Sequence, residues 1–144
     1  MSDSKAAAVP DLVVADTVAG GAVVAPAVVD ALRAAGARFA LLHGSRVRGT
    51  ARPDSDTDIG AWFGRLPAPA SFEVDLPPGV DLTVLDTAPL ELAGGIAISG
   101  VLLFSDDEPA RVRWQATTRK IWSDERPRFD RAHREFLAAV SRGR

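Results

Sequence analysis

The chain has 144 residues, 47% of them hydrophobic, enough for the core of one domain but without an apolar run long enough to span a membrane. The absence of cysteine excludes disulfides and thiolate zinc sites, and two histidines leave oxygen atoms to hold any metal ion, as in magnesium, manganese and calcium sites. The net charge of −2 is uneven, with 7 Lys/Arg against 15 Asp/Glu in residues 1–108 and 10 against 4 in residues 109–144.

Hydrophobic spacing and turn residues predict the elements in chain order. Residues 1–24 are expected to be flexible or weakly structured, and residues 25–144 to form the folded domain with its C-terminal helices. Within this domain the pattern predicts helices over 26–35, 46–49, 88–98 and 109–122, and strands over 39–42, 57–63, 80–85 and 101–104. The proline-rich segment 64–79 is expected to be a loop, with a short extended piece over 71–74.

Pro127 is predicted to interrupt the long C-terminal helix, because proline lacks the backbone N–H and its ring clashes with the preceding turn. A further helical stretch is expected over 128–141. The order of helices and strands predicts an α/β fold, a small mixed β-sheet flanked by helices.

The most informative stretch is HGSRVRGTARPDSDTDIG, from His43 to Gly60. Gly44 and Ser45 follow a buried strand, and their backbone N–H groups and the Ser45 hydroxyl are donors suited to phosphate oxygens. Asp56 and Asp58 alternate along the next strand, so their carboxylates share one face about 7 Å apart. A phosphate cradle beside paired carboxylates is what metal-assisted phosphoryl or nucleotidyl transfer requires.

Asp81 is the third candidate carboxylate. It lies in the predicted strand 80–85, whose hydrophobic alternate residues face the core while Asp81 faces the other way. In the alternative interpretation Asp81 is an ordinary strand-start residue, and Asp56 and Asp58 belong to a solvated turn. Asp86 is interpreted as a helix cap rather than a ligand, because it leads into the next predicted helix.

A calcium-binding loop is a further interpretation of the acidic run that begins at Asp54. Such a loop needs glycine at its sixth position and glutamate at its twelfth, where this chain has Ile59 and Arg65. This interpretation is therefore rejected. His43 is expected to pack or hydrogen-bond rather than to act in chemistry. The tryptophans are expected to be core or interface anchors; they are Trp62, Trp114 and Trp122.

The run GSxxRG from Gly44, the run SDxD from Ser55 and Asp81 in a later strand together resemble the nucleotidyltransferase superfamily that includes DNA polymerase β. The short chain and the runs VDLTVL and GVLLF are most similar to the minimal nucleotidyltransferases. Those proteins are encoded beside all-helical HEPN proteins in bacterial toxin–antitoxin pairs. The resemblance covers roughly residues 27–124 and implies a fold like the polymerase β palm.

The resemblance also implies roles for individual residues. The nucleotide-binding residues that it implies are Gly44, Ser45 and Arg48. Asp56 and Asp58 are implied to hold two Mg²⁺ ions, and Asp81 to hold the catalytic ion and to accept the proton of the acceptor hydroxyl. That hydroxyl attacks the α-phosphorus of ATP in line, and pyrophosphate leaves. The acceptor is implied to be a hydroxyl, such as a tyrosine's, on the cognate HEPN toxin, which makes this chain an antitoxin.

The chain departs from the family at Val47, where alanine is usual, and at the loop 64–79, where relatives usually carry a helix. Two other functions stay open. One is nucleotidyl transfer to a small hydroxylated molecule such as an aminoglycoside, although such enzymes usually carry an additional helical domain. The other is an antitoxin that neutralises its toxin by binding alone, against which the intact set of three aspartates argues.

The partners and location follow from the same features. The N-terminus lacks the basic start of a signal peptide, so we expect a cytoplasmic protein that does not contact a membrane. The basic region 109–144 is typical of a solvated helical face, with an acidic partner or nucleic acid as the alternative. Direct nucleic-acid binding is not expected, and this region is the first candidate for the toxin-binding surface.

Overall fold

The computed structural model describes residues 17–19, 22–44, 47 and 56–143. Within these residues the chain forms six strands, three α-helices and one single-turn 3-10 helix, Ser71–Glu73. The strands are β1 (Thr17–Ala19), β2 (Ala22–Val24), β3 (Phe39–His43), β4 (Thr57–Trp62), β5 (Val80–Val84) and β6 (Val101–Ser105). The α-helices are α1 (Pro26–Ala34), α2 (Leu90–Ser99) and α3 (Glu108–Arg142).

The central sheet has the strand order β5–β4–β3–β6. β4 and β5 are parallel, whereas β3 is antiparallel to both β4 and β6. β1 and β2 pair separately as an antiparallel two-stranded sheet, within the segment 1–24 that was expected to be flexible or weakly structured. A mixed sheet between helices confirms the predicted fold class.

The two faces of the sheet carry two separate apolar clusters. α1 packs on one face, where Leu32 is fully buried with β-strand residues such as Leu42 and Ile59. On the opposite face, Ile96 of α2 packs in a smaller cluster with two residues of β3 and the residue just after β5; these are Phe39, Leu41 and Leu85. The sheet is therefore covered on both sides, and the alternation of side chains along each strand decides which cluster a residue joins.

Phe39 lies at the centre of an aromatic group on the α2 side of the sheet. Its ring stacks on Trp62 with the centroids 5.4 Å apart and meets Trp114 at 5.8 Å. Aromatic pairs of this kind add about 0.5–1.5 kcal/mol beyond the area that they bury. Trp122 is buried between α2 and α3 and meets Phe129 edge to face. The predicted anchoring role of the three tryptophans is confirmed.

α3 runs without a break through Pro127, so the predicted interruption of this helix is wrong. Pro127 is exposed, and ion pairs join the turns on either side of it. Arg128 lies 3.1 Å from Glu125, and Arg126 lies 3.7 Å from Asp130. Pairs at these spacings each stabilise a helix by about 0.2–0.5 kcal/mol. Together with the long helical run on each side, they hold the turn in which proline removes one hydrogen bond.

Asp86 does not cap α2, which begins at Leu90 without a side-chain cap, so this prediction is also wrong. The Asp86 carboxylate instead accepts the backbone N–H groups of Phe63 at 2.9 Å and Gly64 at 2.7 Å. These donors lie just past the end of β4, whose ladder with β5 would otherwise leave them unpaired. Asp86 therefore joins the ends of the two parallel strands.

The extended piece expected over 71–74 is also wrong. Glu73 accepts the backbone N–H of Ala70 at 2.7 Å, and the backbone N–H of Glu73 donates back to the Ala70 carbonyl at 2.9 Å. This reciprocal pair bends the chain into the 3-10 turn.

No helix in the described part of the chain is both long and apolar enough to cross a membrane.

The first turn of α3 is held by charged side chains. Asp107 caps the helix by accepting the N–H of Ala110, and Glu108 pairs with Arg111 at 2.7 Å. The Arg111 guanidinium lowers the pKa of Glu108 from 4.5 to about 2. Because the folded-state pKa is lowered, the stabilising contribution is complete above pH 4.5 and is lost as the pH falls from 4.5 towards 2.

We expect an NMR titration of the Glu108 carboxyl carbon to have its midpoint near 2 in the native protein. Arg111→Met should move this midpoint back towards 4.5, because it removes the hydrogen-bonding cation. Arg113→Met, an exposed substitution on the same helix, should leave the midpoint unchanged. A native midpoint near 4.5 would contradict this interpretation.

Candidate active site

Three polar side chains form a row across one end of the sheet. His43 ends β3 and lies opposite Asp58 on β4, and Asp58 lies opposite Asp81 on the parallel strand β5. Paired residues on neighbouring strands point to the same face and lie about 5 Å apart. Asp58 and Asp81 are therefore direct neighbours, with Asp58 half-buried and Asp81 exposed.

Gly44 lies against the carboxylate of Asp58. It follows β3 directly and has a φ of 83°, in the left-handed region that favours glycine. A Cβ at this position would collide with Oδ2 of Asp58 and would lie 2.9 Å from its Cγ. The backbone after β3 thus approaches the carboxylate more closely than any other residue type would allow.

The chain turns immediately after Gly44. The backbone N–H of Val47 donates to the Gly44 carbonyl at 3.2 Å, and the Val47 side chain packs against the cluster on the α1 side. Of the predicted helix 46–49, only Val47 belongs to the described residues. Ser45 and Arg48 lie outside them. The predicted roles of Ser45 and Arg48 in nucleotide binding therefore stay predictions.

Asp56 is exposed and comes one residue before β4 begins. In the described part of the chain, no three side chains of His, Asp or Glu lie close enough together to hold a metal ion by themselves. The register brings Asp58 and Asp81 together as a pair. The contribution of Asp56 as a metal ligand, which the sequence predicted, stays a prediction.

A small cavity opens beside this row, between the end of β3 and the outer side of α2. Its volume is about 200 Å³. Its lining residues are His43, Gly44, Glu91, Leu92, Gly95, Ile96 and Ser99. No feature of the motifs pointed to α2 as a wall of the site. The signal that the sequence did contain is Gly95, which lies on an exposed part of the helix and leaves the cavity open.

Gly60 explains how α2 can lie so close to the row. It is two residues after Asp58 on the same face of β4, and a Cβ there would lie 2.9 Å from Leu85 Cδ2 and 3.4 Å from Ile96 Cδ1. Even an alanine at this position would require the Leu85 side chain to move, and a larger side chain would also press on Ile96 of α2. The glycine thus lets α2 cover the floor of the site just behind the carboxylates.

The sequence pattern of the family described as "Polymerase beta, Nucleotidyltransferase" matches residues 31–109, more than half of the chain. The match includes the row of His43, Asp58 and Asp81, as well as Gly44. No curated protein matches the chain closely in sequence.

Solved structures similar to this chain come from toxin–antitoxin complexes. One is a chain from the crystal structure of a toxin–antitoxin with AMP-PNP, with a TM-score of 0.53 and 24% identity. Two others come from mutants of the toxin–antitoxin MntA–HpeT, with TM-scores of 0.52 and 0.50 and identities of 24% and 20%. Each likeness covers 73% of this chain and 94% of the other. At this level of identity the likeness establishes a common fold.

Proposed function

Because the chain belongs to the polymerase β nucleotidyltransferase family, we propose that it transfers AMP from ATP to a hydroxyl group on a protein partner. In this proposal the partner is a HEPN toxin, the reaction requires Mg²⁺ and takes place in the cytoplasm, and the transfer silences the toxin. The chain is then the antitoxin of the pair.

The observation that carries the proposal is the register of β4 and β5, which sets Asp58 beside Asp81 while Gly44 lies against Asp58. A turn that can donate backbone N–H groups thus adjoins two carboxylates. Phosphate oxygens bound at the turn would then be close to cations that the two carboxylates would hold. This is the arrangement that transfer of a nucleotidyl group needs.

The residues present fit Mg²⁺, although they do not form a complete protein cage. Mg²⁺ is usually held by one or two carboxylates together with oxygens of substrate phosphates. Asp58 and Asp81 supply such a pair of carboxylates, with Asp56 as the further proposed ligand. When bound, the ion neutralises charge on the phosphate oxygens and lowers the pKa of the acceptor hydroxyl.

The chain's own residues would act as follows. The turn at Gly44 and Ser45, together with Arg48, orients the triphosphate so that the α-phosphorus faces the acceptor. The acceptor oxygen bonds to the α-phosphorus while the bond from the α-phosphorus to the bridging oxygen breaks, and pyrophosphate leaves. Asp81, the exposed member of the pair, accepts the proton of the hydroxyl.

Two features of the similar structures support this choice of nucleotide and partner. One of those proteins was crystallised with AMP-PNP, an analogue of ATP, and all three are parts of toxin–antitoxin complexes. An enzyme that modifies a protein needs a site that a large partner can reach. The row at the end of the sheet is open and meets this requirement. Asp81 is exposed, so a hydroxyl on another protein can approach it.

The position of a radioactive label in ATP tests the proposal. The chain is incubated with Mg²⁺ and the protein encoded beside it, once with ATP labelled at the α-phosphate and once with ATP labelled at the γ-phosphate. We expect the α label alone to reach the partner, and chelation of the divalent cation to prevent its transfer. Transfer of the γ label would indicate phosphorylation instead.

Neutralisation of the toxin separates the enzyme from an antitoxin that acts by binding alone. The double variant Asp56→Ala with Asp58→Ala should fail both to transfer label and to protect cells from the toxin. If this variant protects cells as well as the native chain does, the enzymatic proposal is wrong. Label that reaches an aminoglycoside but no protein would contradict the proposed acceptor.

Gly44→Ala should lower the rate of AMP transfer by about a hundredfold. The new Cβ collides with the Asp58 carboxylate, so this side chain has to leave its place beside Asp81. The left-handed backbone adds a cost in stability of about 1–3 kcal/mol. Transfer of the α label and the melting temperature are both measured.

Gly36→Ala is the matched control, since Gly36 has a φ of 96° and nothing lies within 4 Å of a Cβ built there. It should lower stability to a similar degree and leave the rate of transfer near the native value. Equal loss of activity in both variants would mean that backbone strain, rather than displacement of Asp58, is responsible.

A further inference from the structure

The second half of α3 carries a stripe of mostly apolar side chains that is largely exposed within the described part of the chain. Its members lie three or four residues apart along one side of the helix. They are Phe129, His133, Phe136, Leu137 and Val140, hereafter the α3 stripe. Phe136 is 63% exposed and Leu137 is 52% exposed, unusual values for side chains that share one helical face.

The α3 stripe continues the face that α3 already buries against α2. In the first half of the helix this face holds Gln115, whose side-chain amide donates to the Ala97 carbonyl, and Trp122, which packs on Gly94. α3 has 35 residues and is about 50 Å long, whereas α2 has 10 residues and is about 15 Å long. The same packing surface therefore extends well past the end of its partner helix.

A cavity of about 390 Å³ lies beside the N-terminal end of α2, where the exposed part of α3 begins. It is lined by Glu91, Phe129, Asp130, Ala132 and His133. Glu91 also lines the smaller cavity at Gly44. One side chain thus borders both spaces, so the α3 stripe leads along α2 to the candidate active site.

The charge around the α3 stripe indicates what can cover it. Residues 126–142 contain five arginines against Asp130 and Glu135, a net charge of +3. Two such segments packed together would bring like charges into contact, which disfavours a pair of α3 stripes from two copies. An acidic surface is favoured instead, and apolar residues at helical spacing match another helix in line with α2.

We propose that the α3 stripe docks an acidic amphipathic helix of the acceptor protein and so brings that protein to the active site. That the docked protein is also the acceptor rests on the proposed function. The docking itself depends only on the α3 stripe and its charge. The cavity at Phe129 receives one anchoring side chain, and Arg126 and Arg134, whose helical positions lie nearest the stripe, pair with acidic residues of the partner helix.

The probe is a fluorescent peptide of about 20 residues, long enough to form a helix, with leucines at helical spacing and glutamates on the flanks. A second peptide has lysine in place of each glutamate. We expect the full chain to bind the acidic peptide, measured by fluorescence anisotropy, and to bind the basic peptide at least tenfold more weakly. Equal binding of the two peptides, or binding of neither, would overturn the proposal.

Two substitutions to the same residue type locate the binding face. Val140→Glu places a negative charge in the α3 stripe and should weaken binding of the acidic peptide by at least tenfold. Ala138→Glu adds the same charge on the opposite side of the helix and should change the affinity less than Val140→Glu does. Both positions are exposed, so both variants should fold. Loss of affinity that is equal in the two variants would contradict docking at the stripe.

Other occupants give distinct results. A dimer in sedimentation that Val140→Glu dissociates would show that a second copy covers the stripe, and would overturn the acidic partner. Tighter peptide binding after deletion of residues 1–16 would also overturn the acidic partner, because the chain's own N-terminal segment would then be what covers the stripe. Asp58→Asn should leave peptide binding intact and Val140→Glu should leave ATP binding intact, so failure of one proposal is distinguishable from failure of the other.

Discussion

Asp58→Asn is expected to lower the rate of AMP transfer by about a thousandfold, which corresponds to about 4 kcal/mol of transition-state stabilisation. Asparagine keeps the shape of the side chain but removes the charge that faces Asp81 and adjoins Gly44. Because Asp58 is half-buried at the start of β4, its substitution acts on a position that the sheet holds in place. The measurement is the rate at which the α label of ATP reaches the partner, with Mg²⁺ in excess.

Asp75→Asn is the control for this substitution. Asp75 is an exposed carboxylate in the segment between β4 and β5, and its replacement changes the net charge by the same amount. The rate should stay within twofold of the native value, as is usual for a surface residue away from the chemistry. A similar fall in rate for the two variants would mean that overall charge, rather than the site, controls transfer, and the assignment of Asp58 would fail.

Gly94→Ala is expected to lower the free energy of unfolding by about 2 kcal/mol. Alanine favours a helix over glycine by about 1 kcal/mol, so helix propensity alone predicts the opposite sign. However, the new Cβ would lie 2.6 Å from Cβ and 2.7 Å from Cδ1 of Trp122. These atoms belong to the root of a buried ring and cannot move without separating α2 from α3, an overpacking cost of about 3 kcal/mol.

Gly95→Ala is the matched control on the next residue of the same helix. Nothing lies within 4 Å of a Cβ built at Gly95, so propensity acts alone and the protein should gain about 1 kcal/mol. Thermal unfolding of the two variants and of the native chain measures both effects. If Gly94→Ala stabilises the chain as much as Gly95→Ala does, then Trp122 does not pack against α2 as the structure places it.

The elements of the sheet could be predicted because their hydrophobic residues alternate. The alternation of β5 placed Leu82 and Val84 in the core and Asp81 on the other face, and the structure confirms this arrangement. The same rule placed Asp58 on a defined face of β4. The alternation alone does not determine that β4 and β5 are direct neighbours in this register, because strand pairing is a tertiary feature. The resemblance to a family implied this pairing.

Other features could not be predicted because distant partners outweigh local preference. Asp86 has the local sequence of a helix cap, yet its carboxylate accepts hydrogen bonds from the backbone N–H groups of Phe63 and Gly64 instead of capping α2. Pro127 has the strongest local preference against a helix, yet α3 continues through it with ion pairs on both sides. The role of Ser45 stays a prediction from its sequence motif, since it lies outside the described residues.

The contact of Asp86 with the end of β4 has a consequence at the other end of the same two strands. A slip of one residue between β4 and β5 would turn Asp81 towards the α1 side and separate it from Asp58, because side chains alternate along a strand. By accepting the backbone N–H groups of Phe63 and Gly64, the carboxylate of Asp86, two residues past the end of β5, fixes the alignment of the whole ladder. The contact made by Asp86 at one end of the two strands thus controls the distance between Asp58 and Asp81 at the other end. A substitution that removes this contact would misalign the two carboxylates, although both residues stay unchanged.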